Sequence, residues 1–167
     1  MIYRSDYMEK IKVLKDTPLV KILTGVRRCG KSTILQMLKE ELIRDGIPEE
    51  NIIEKRYTDM DISENISAKQ MYDELIEAIG KKEPCYLLLD EIQEVPDWER
   101  VVNTLLEDGK ADIYITGSNS KLMSSEISTY LTGRYIQIPV FTLSFKEYVE
   151  FKKGGKLSDR EMLEEYI

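Results

Sequence analysis

Short apolar runs alternate along the chain with longer segments in which apolar residues recur at helical spacing. The runs are short enough, and apolar enough on both faces, to be buried strands. We predict strands at 19–23, 52–57, 86–89, 113–115 and 135–140. The periodic segments predict helices at 4–15, 31–44, 68–79, 96–105 and 145–151. Strands that alternate with helices indicate a parallel sheet covered by helices.

Two of the predicted helices begin with the sequence signature of a capping box. Ser67 is followed three residues later by Gln70, and Ser144 is followed in the same way by Glu147. In this motif each side chain accepts a hydrogen bond from the backbone N–H of the other residue. Pro96 predicts the start of a further helix, because its fixed φ suits the first helical position.

The chain has 167 residues, enough for one domain with a substantial buried core. We predict that this domain covers residues 1–150. Residues 151–167 are predicted to hold a linker around Gly154 and Gly155, and then the start of another helical pattern at Arg160. Because the sequence stops within that pattern, this region is expected to be either part of a longer protein or a frayed terminal helix.

The composition narrows the classes of function. The chain has no histidine, which excludes histidine-based acid–base catalysis and histidine metal ligands. Its two cysteines, Cys29 and Cys85, are too few for a disulfide framework and fit a reducing compartment. The sequence shows neither an apolar run long enough to span a bilayer nor a secretory signal. We therefore expect a cytoplasmic protein without a membrane partner.

Charge is distributed unevenly along the chain. The formal net charge is −7, which argues against wholesale electrostatic coating of a nucleic acid. The first 40 residues nevertheless carry nine Lys or Arg residues and four Asp or Glu residues. An anionic ligand is therefore expected near this basic part of the chain.

A glycine-rich phosphate-binding motif lies in the basic part. Residues 25–32 match the pattern G-x-x-x-x-G-K-[ST] between a predicted strand and a predicted helix. The glycines let successive N–H groups wrap a phosphate, and the helix points its N-terminus at the same anion. Lys31 supplies charge to the β- and γ-phosphates, and the Ser32 hydroxyl can ligate Mg²⁺. We expect ATP and Mg²⁺ as ligands, with nucleotide contacts from Gly25, Val26, Arg27, Arg28, Cys29, Gly30, Lys31, Ser32 and Thr33.

Two carboxylates follow the apolar run at 86–89. Because ligands gather at the carboxyl ends of parallel strands, Asp90 is expected beside Ser32, where it would hold Mg²⁺ through the water shell of the metal. Glu91 lies one residue further and is expected to point the other way, which suits it to orient and partly deprotonate a water in line with the γ-phosphate. A second acid favours an ATP hydrolase over many small-molecule kinases.

Two further polar residues are candidates for catalysis together with Glu91. Asn119 follows the strand at 113–115 and can reach the γ-phosphate or the attacking water if that strand neighbours the other two. Arg134 precedes the last predicted strand, and its guanidinium could stabilise charge on the transferred phosphoryl group.

Together these motifs resemble those of a known group of ATPases. Residues 24–33, Thr-Gly-Val-Arg-Arg-Cys-Gly-Lys-Ser-Thr, resemble the Walker A motif of AAA+-type ATPases. Residues 87–93, Leu-Leu-Leu-Asp-Glu-Ile-Gln, look like their Walker B motif, and residues 116–119, Thr-Gly-Ser-Asn, like their sensor-1 strand end. With Trp98 and the pair at 133–134, the set resembles prokaryotic AAA-type ATPases over residues 1 to about 150. Those proteins pair an N-terminal ATPase domain with a C-terminal domain of unknown, often nuclease-like function.

The resemblance implies a P-loop NTPase fold of the ASCE type. This is an α/β fold, a three-layer αβα sandwich around a five-stranded, mostly parallel sheet, with the Walker B strand beyond the sensor-1 strand. It implies Mg²⁺-dependent ATP hydrolysis. The residues that take the family's nucleotide roles are Lys31, Ser32, Asp90, Glu91 and Asn119.

The resemblance also implies partners. Arg134 takes the place of an arginine finger that acts on the nucleotide of a neighbouring subunit, so a homo-oligomer is expected. The residues after Val140 are too few for the family's helical lid and C-terminal domain. A DNA or protein partner is therefore expected only through a C-terminal domain that lies beyond this sequence.

Two other functions of the phosphate loop stay open. A P-loop kinase for a small molecule or nucleoside fits the chain length, although the sequence after the loop shows no arginine cluster typical of a kinase lid. A nucleotide-gated interaction module would use ATP to set its conformation and choice of partner, without useful turnover.

Overall fold

Strands and helices alternate along the chain, as the apolar pattern predicts. The structure is a computed structural model, and it describes residues 3–58, 66–118, 122 and 130–152. The strands are β1 (Val20–Gly25), β2 (Ile52–Arg56), β3 (Tyr86–Asp90), β4 (Asp112–Ser118) and β5 (Tyr135–Pro139). The helices are α1 (Ser5–Leu14), α2 (Lys31–Arg44), α3 (Ala68–Ile79), α4 (Trp98–Asp108) and α5 (Phe145–Lys152). Short 3-10 turns occupy Glu49–Asn51 and Ile92–Glu94.

The five strands form one sheet in the order β2-β3-β4-β1-β5, and every pairing is parallel. The predicted α/β fold is confirmed, with a sheet that is parallel throughout. β4 lies between β1 and β3, which is the order that the resemblance implied. The strands therefore end together at what we call the carboxyl edge, formed by Gly25, Arg56, Asp90, Ser118 and Pro139.

Alternate side chains of the strands fill two apolar layers, one on each face of the sheet. Ile22 and Leu87 belong to the layer that also contains the buried residues of α3 and α4. Leu23 and Leu88 belong to the layer with the buried residues of α1 and α2. Because helices cover both faces, the strands need no polar face, and this is why they stand out in the sequence as continuous apolar runs.

Local signals set most helix boundaries. Ser67 and Gln70 exchange the two hydrogen bonds of a capping box at the start of α3. Ser144 and Glu147 do the same at α5, since each backbone N–H donates to the other side chain. The prediction for Pro96 is wrong. Asp97 has a left-handed backbone with φ +56°, which separates Pro96 from the helix that begins at Trp98.

β4 is longer than the apolar run at 113–115 indicated. Thr116 and Gly117 still pair with Leu23 and Thr24 of β1, and the strand ends at Ser118. Glycine is depleted in strands, so at Gly117 it is the pairing with β1 that extends β4.

The sequence analysis also made predictions about the end of the domain and about membrane-spanning segments. The predicted linker and helix after residue 152 lie outside the described residues, so the domain boundary near residue 150 stays a prediction. In the part of the chain that the structure describes, none of the helices is long and apolar enough to cross a membrane.

A buried ion pair lies at the amino edge of the sheet, where the strands begin. Lys21 is fully buried, and its ammonium pairs with the Asp112 carboxylate and donates to the Thr17 carbonyl at 2.9 Å. Asp112 also accepts from the Tyr114 hydroxyl at 2.8 Å and from the Asp16 N–H at 2.9 Å. Burial, followed by the charge of Asp112, raises the pKa of Tyr114 and keeps its phenol a neutral donor.

Replacing Asp112 by asparagine would leave the Lys21 ammonium buried without a counter-charge. We expect Asp112→Asn to lower the free energy of unfolding by about 3 kcal/mol, the usual cost of breaking a buried pair from one side. The double variant Lys21→Met/Asp112→Asn should regain much of this loss, because no charge stays buried. Urea denaturation measures both, and a single variant as stable as the wild type would contradict the prediction.

Candidate nucleotide-binding site

The glycine-rich segment between β1 and α2 lies at the carboxyl edge. Residues 26–28 are exposed, whereas Cys29 is buried with its sulfur packed against Gly25. Arg28 has φ +67° and Gly30 has φ +100°, both in the left-handed region. Left-handed residues within such a loop turn successive N–H groups toward a common side, which makes an anion-binding concavity.

Gly25 leaves no room for a side chain. An ideal Cβ there would lie 2.3 Å from the Val140 carbonyl oxygen and 2.7 Å from the Cys29 sulfur. The Val140 N–H in turn donates to the Thr24 carbonyl at 2.6 Å. The chain after β5 therefore packs directly against the start of the phosphate loop, and this close approach requires glycine at position 25.

The lysine of the motif is held inside the loop. Lys31, the first residue of α2, is only 3% exposed. Its Nζ donates to the carbonyls of Gly25 and Val26 at 3.2 and 3.1 Å and lies 3.8 Å from Oε1 of Glu91. A buried ammonium is costly unless polar groups surround it, and these contacts keep its charge within the site.

The next residue of α2 contacts the acid that ends β3. Ser32 Oγ donates to Asp90 Oδ1 at 3.0 Å, and the Thr116 hydroxyl of β4 donates to the same oxygen. Arg56 Nε, at the end of β2, lies 3.3 Å from Asp90 Oδ2. Asp90 is 5% exposed, so groups from α2, β4 and β2 fix the position of its carboxylate.

The second acid has a left-handed backbone. Glu91 has φ +53° and ψ +45°, and its N–H donates to the Thr116 hydroxyl oxygen at 3.0 Å. The alternation of strand side chains ends at Asp90 and does not decide the direction of Glu91, contrary to the sequence argument. Both carboxylates instead contact consecutive residues of α2. Gln93 Nε2 donates to the remaining oxygen of Glu91, Oε2, at 2.6 Å.

Ser32, Asp90, Glu91 and Gln93 line a cleft of about 740 Å³. Arg27 of the loop and Arg56 of β2 line it together with Asp90 and Glu91, so cations and carboxylates face one space. A cleft of this size can hold a phosphate chain with its metal and water. Tyr57 is another lining residue, and burial, with a smaller contribution from Glu74, raises the pKa of its phenol.

Comparison with known proteins identifies the family. A family profile described as an AAA domain matches residues 17–149. The chain belongs to the AAA domain family. It is therefore a nucleotide-binding, ATPase-like domain, and the suspected relationship is confirmed, although the nuclease-like C-terminal domain of the resemblance is not shown.

Relatives of this AAA domain are longer proteins. It is 38% identical over 154 residues to an uncharacterized protein of Haemophilus influenzae. The alignment covers 91% of this chain and 38% of that protein. It is 35% identical over 133 residues to an uncharacterized protein of Methanocaldococcus jannaschii. This alignment covers 80% of this chain and 29% of that protein. The chain thus spans only 38% and 29% of the length of these two curated relatives.

Solved structures share the fold of this AAA domain. A DNA polymerase III gamma subunit-related protein of Thermotoga maritima superposes with a TM-score of 0.62 at 14% identity, over 94% of this chain and 53% of that one. A chain of the Escherichia coli MS115-1 HORMA:CdnC:Trip13 complex gives the same TM-score and identity, over 97% and 62%. At such low identity, these likenesses show the fold alone.

Arg134 lies apart from the other predicted site residues. Its carbonyl accepts from the Val20 N–H at the start of β1, whereas the phosphate loop follows the end of that strand. The two edges are roughly 16 Å apart along a six-residue strand. The guanidinium pairs with Glu107 at 2.9 Å and donates to the Tyr130 carbonyl at 3.0 Å. A role for Arg134 at a neighbouring subunit stays a prediction.

Asn119 lies outside the described residues, so its predicted role is untested. The site also contains residues to which the sequence analysis gave no role, namely Arg56, Gln93 and Thr116. Gln93 and Thr116 stand inside the motifs quoted for the resemblance, but nothing local indicates their contacts. Arg56 carried no signal at all, since only the sheet order places β2 beside the strand that ends in Asp90.

Gln93 occupies a space that only a glycine on β4 leaves open. An ideal Cβ on Gly117 would lie 2.2 Å from Gln93 Oε1 and 2.5 Å from Leu122 Cδ1. The Gln93 oxygen is buried in this space, while its amide nitrogen holds Glu91. The position of Glu91 therefore depends on the absence of a side chain at Gly117 on β4.

Adding a methyl group at Gly117 should displace both neighbours. We expect Gly117→Ala to lower the free energy of unfolding by about 1–3 kcal/mol, as overpacking of a filled site does. Ser118→Ala, one residue along β4, serves as the control and should change stability by less than about 0.5 kcal/mol. Equal urea midpoints for Gly117→Ala and the wild type would show that Gln93 and Leu122 move freely.

Proposed function

We propose that this AAA domain hydrolyses ATP in a Mg²⁺-dependent reaction. The observation that carries the proposal is the pairing of consecutive residues of α2 with consecutive acids. Lys31 lies 3.8 Å from Glu91, and Ser32 donates to Asp90 at 3.0 Å. A phosphate loop and one metal-binding acid are enough to hold a nucleotide, whereas hydrolysis also calls for a group that activates water. Glu91 is available for that second task.

The residues present fit Mg²⁺. This ion prefers oxygen ligands, keeps several waters, and is commonly bound by one or two carboxylates together with substrate phosphates. The Ser32 hydroxyl and the Asp90 carboxylate offer such oxygens 3.0 Å apart, next to the phosphate loop. When bound, Mg²⁺ would neutralise charge on the β- and γ-phosphates.

In the proposed reaction, the N–H groups of the loop and Lys31 bind the phosphates. Lys31 exchanges its contacts with the Gly25 and Val26 carbonyls for phosphate oxygens, and this also weakens its attraction for Glu91. Glu91 Oε1 then accepts a hydrogen bond from the attacking water, while Gln93 keeps hold of Oε2. As the water oxygen bonds to the γ-phosphorus, its proton passes to Glu91 Oε1, the bond to the bridging oxygen breaks, and ADP and phosphate leave.

Glutamine at position 91 should separate binding from turnover. We expect Glu91→Gln to lower the rate of phosphate release by about 100-fold or more, the scale of a lost general base, and to bind ATP nearly as well as the wild type. Lys31→Ala should lose nucleotide binding altogether. Phosphate release and the binding of a fluorescent ATP analogue are the two measurements.

Glu77→Gln on the exposed face of α3 is the matched control and should behave as the wild type. Retained turnover in Glu91→Gln would remove Glu91 from its proposed role. A wild-type protein that binds ATP without releasing phosphate would instead be a nucleotide-gated module. Transfer of phosphate to a small-molecule acceptor would make it a kinase.

We propose in addition that Arg134 acts on the nucleotide of a neighbouring subunit in a homo-oligomer. Its distance from the phosphate loop of its own chain supports this, because only a second copy can bring the two together. Asn119 keeps its proposed role at the γ-phosphate or the attacking water.

Mixing two inactive variants tests the action of Arg134 between subunits. Arg134→Ala keeps an intact phosphate loop, and Glu91→Gln keeps an intact arginine. We expect each alone to be nearly inactive, the mixture to regain part of the wild-type rate, and wild-type specific activity to rise with protein concentration. A fully active Arg134→Ala, or a mixture no faster than its components, would exclude the role.

What the ATP cycle drives is also a proposal. Because the relatives are much longer than this chain, we propose that the cycle acts on a protein or DNA partner through a further domain. The formal charge of −7 gives this domain itself no electrostatic support for coating DNA. Both cysteines are free and buried, which is compatible with the proposed cytoplasmic location.

A further inference from the structure

A buried arginine outside the phosphate-loop motif contacts the backbone of the loop. Arg4, the residue before α1, is only 4% exposed. Its Nη1 donates to the carbonyl of Cys29 and to that of Phe141, both at 3.0 Å. Its Nε and Nη2 donate to the two carboxylate oxygens of Glu147 at 2.8 and 3.3 Å, and Nη2 also reaches the Thr142 carbonyl at 3.4 Å. One guanidinium thus joins the N-terminal segment, the phosphate loop and residues 141–147.

The surroundings of Arg4 hold its charge in place. The Tyr7 ring lies 4.4 Å from the guanidinium carbon, and Glu147 supplies the counter-charge. Burial raises the pKa of Glu147, but hydrogen bonds from Arg4 and Ser144 outweigh it, so the pKa lies below its usual value and the carboxylate stays ionised. A planar, fully donating guanidinium is suited to several fixed acceptors at once, and an ammonium is not.

The bond to Cys29 acts on the peptide unit that also contains the Gly30 N–H. The Cys29–Gly30 peptide bond is trans, because the cis peptide bond of the described residues joins Glu83 to Pro84. In a trans peptide the carbonyl and the N–H point in opposite directions, so the bond from Arg4 directs the Gly30 N–H away from the guanidinium. Gly30 has φ +100° and no side chain, and it does not by itself restrict the rotation of this peptide.

We propose that Arg4 is a positioning residue for phosphate binding, which holds the Cys29–Gly30 peptide so that its N–H faces the phosphates. The inference rests on nucleotide binding by this site. Arg4 acts through the backbone of the loop and touches neither nucleotide nor metal. Through Glu147 it also anchors the loop to α5, so the same guanidinium that prepares the loop fixes the chain after β5.

A merely structural role for Arg4 makes a different prediction. If Arg4 only attached α1 to the rest of the domain, its loss would lower stability and leave the nucleotide affinity of the folded protein unchanged. A control that lowers stability without removing a hydrogen bond to the loop therefore separates the two roles. Ile11 is fully buried in α1, belongs to the same apolar layer, and its side chain has no polar atom that could bond to the backbone of the phosphate loop.

The test compares ADP binding by Arg4→Met, Arg4→Lys and Ile11→Ala with that of the wild type. Calorimetric titrations of the 167-residue chain with Mg²⁺ and ADP would be run where urea curves show each variant folded. We expect Arg4→Met to weaken ADP binding by about tenfold or more, the scale of one charge-assisted hydrogen bond. Arg4→Lys should also bind more weakly, because its ammonium cannot span all the acceptors. Ile11→Ala should bind within about twofold of the wild type despite a lower stability.

A second measurement observes the peptide itself. In nitrogen-15 NMR spectra without nucleotide, the Gly30 amide should shift and exchange faster in both Arg4 variants, and it should stay unchanged in Ile11→Ala. If Arg4 only attached α1, the signal of the Gly30 amide would change in the same way in the Arg4 variants and in Ile11→Ala.

The outcomes are distinguishable. A wild-type chain that bound no ADP would overturn the proposed function, and the inference with it. ADP binding by the wild type and by both folded Arg4 variants within about twofold of one another would overturn the inference alone. Equal losses of ADP affinity in Arg4→Lys and Ile11→Ala would also overturn the inference alone. If Arg4→Met failed to fold, Arg4→Lys would decide by the same criteria.

Discussion

The hydrogen bond between the Ser32 hydroxyl and the Asp90 carboxylate is the contact on which the site depends. It joins the first turn of α2 to the end of β3 across 58 positions of sequence. Asp90 is almost fully buried, and the Thr116 hydroxyl donates to the same oxygen. Turning this carboxylate away would leave buried donors unsatisfied, which costs more than the hydrogen bonds themselves contribute. These hydrogen bonds therefore fix the position of Asp90 before any ligand arrives.

Charged groups are buried at both edges of the sheet, but they serve different ends. At the amino edge Lys21 and Asp112 pair with each other and bond to neighbouring polar groups, and the pair links the starts of two strands. At the carboxyl edge the Lys31 ammonium is held by two carbonyls and a carboxylate at 3.8 Å. These looser contacts can be exchanged for phosphate oxygens, which suits a site whose charges must serve a ligand.

The phosphate loop is supported from outside its own motif. The segment after β5 packs so closely against Gly25 that no side chain fits there, and Arg4 ties the Cys29 carbonyl to the same segment. Gln93 in turn depends on Gly117 to reach Glu91. The loop, the two acids and α5 are therefore linked by side-chain contacts.

The sequence by itself determined the αβ alternation, the parallel sheet, the capping boxes and the strand–loop–helix of the phosphate motif. Each of these depends on residues only a few positions apart, whose periodicity and backbone preferences act locally. The left-handed turn at Glu91, the contact of Arg56 with Asp90 and the attachment of Arg4 to the loop were decided only by the tertiary structure. So was the place of Arg134 at the edge opposite the phosphate loop. These contacts join distant segments, and the order of the strands and the packing of the helices decide which of them meet.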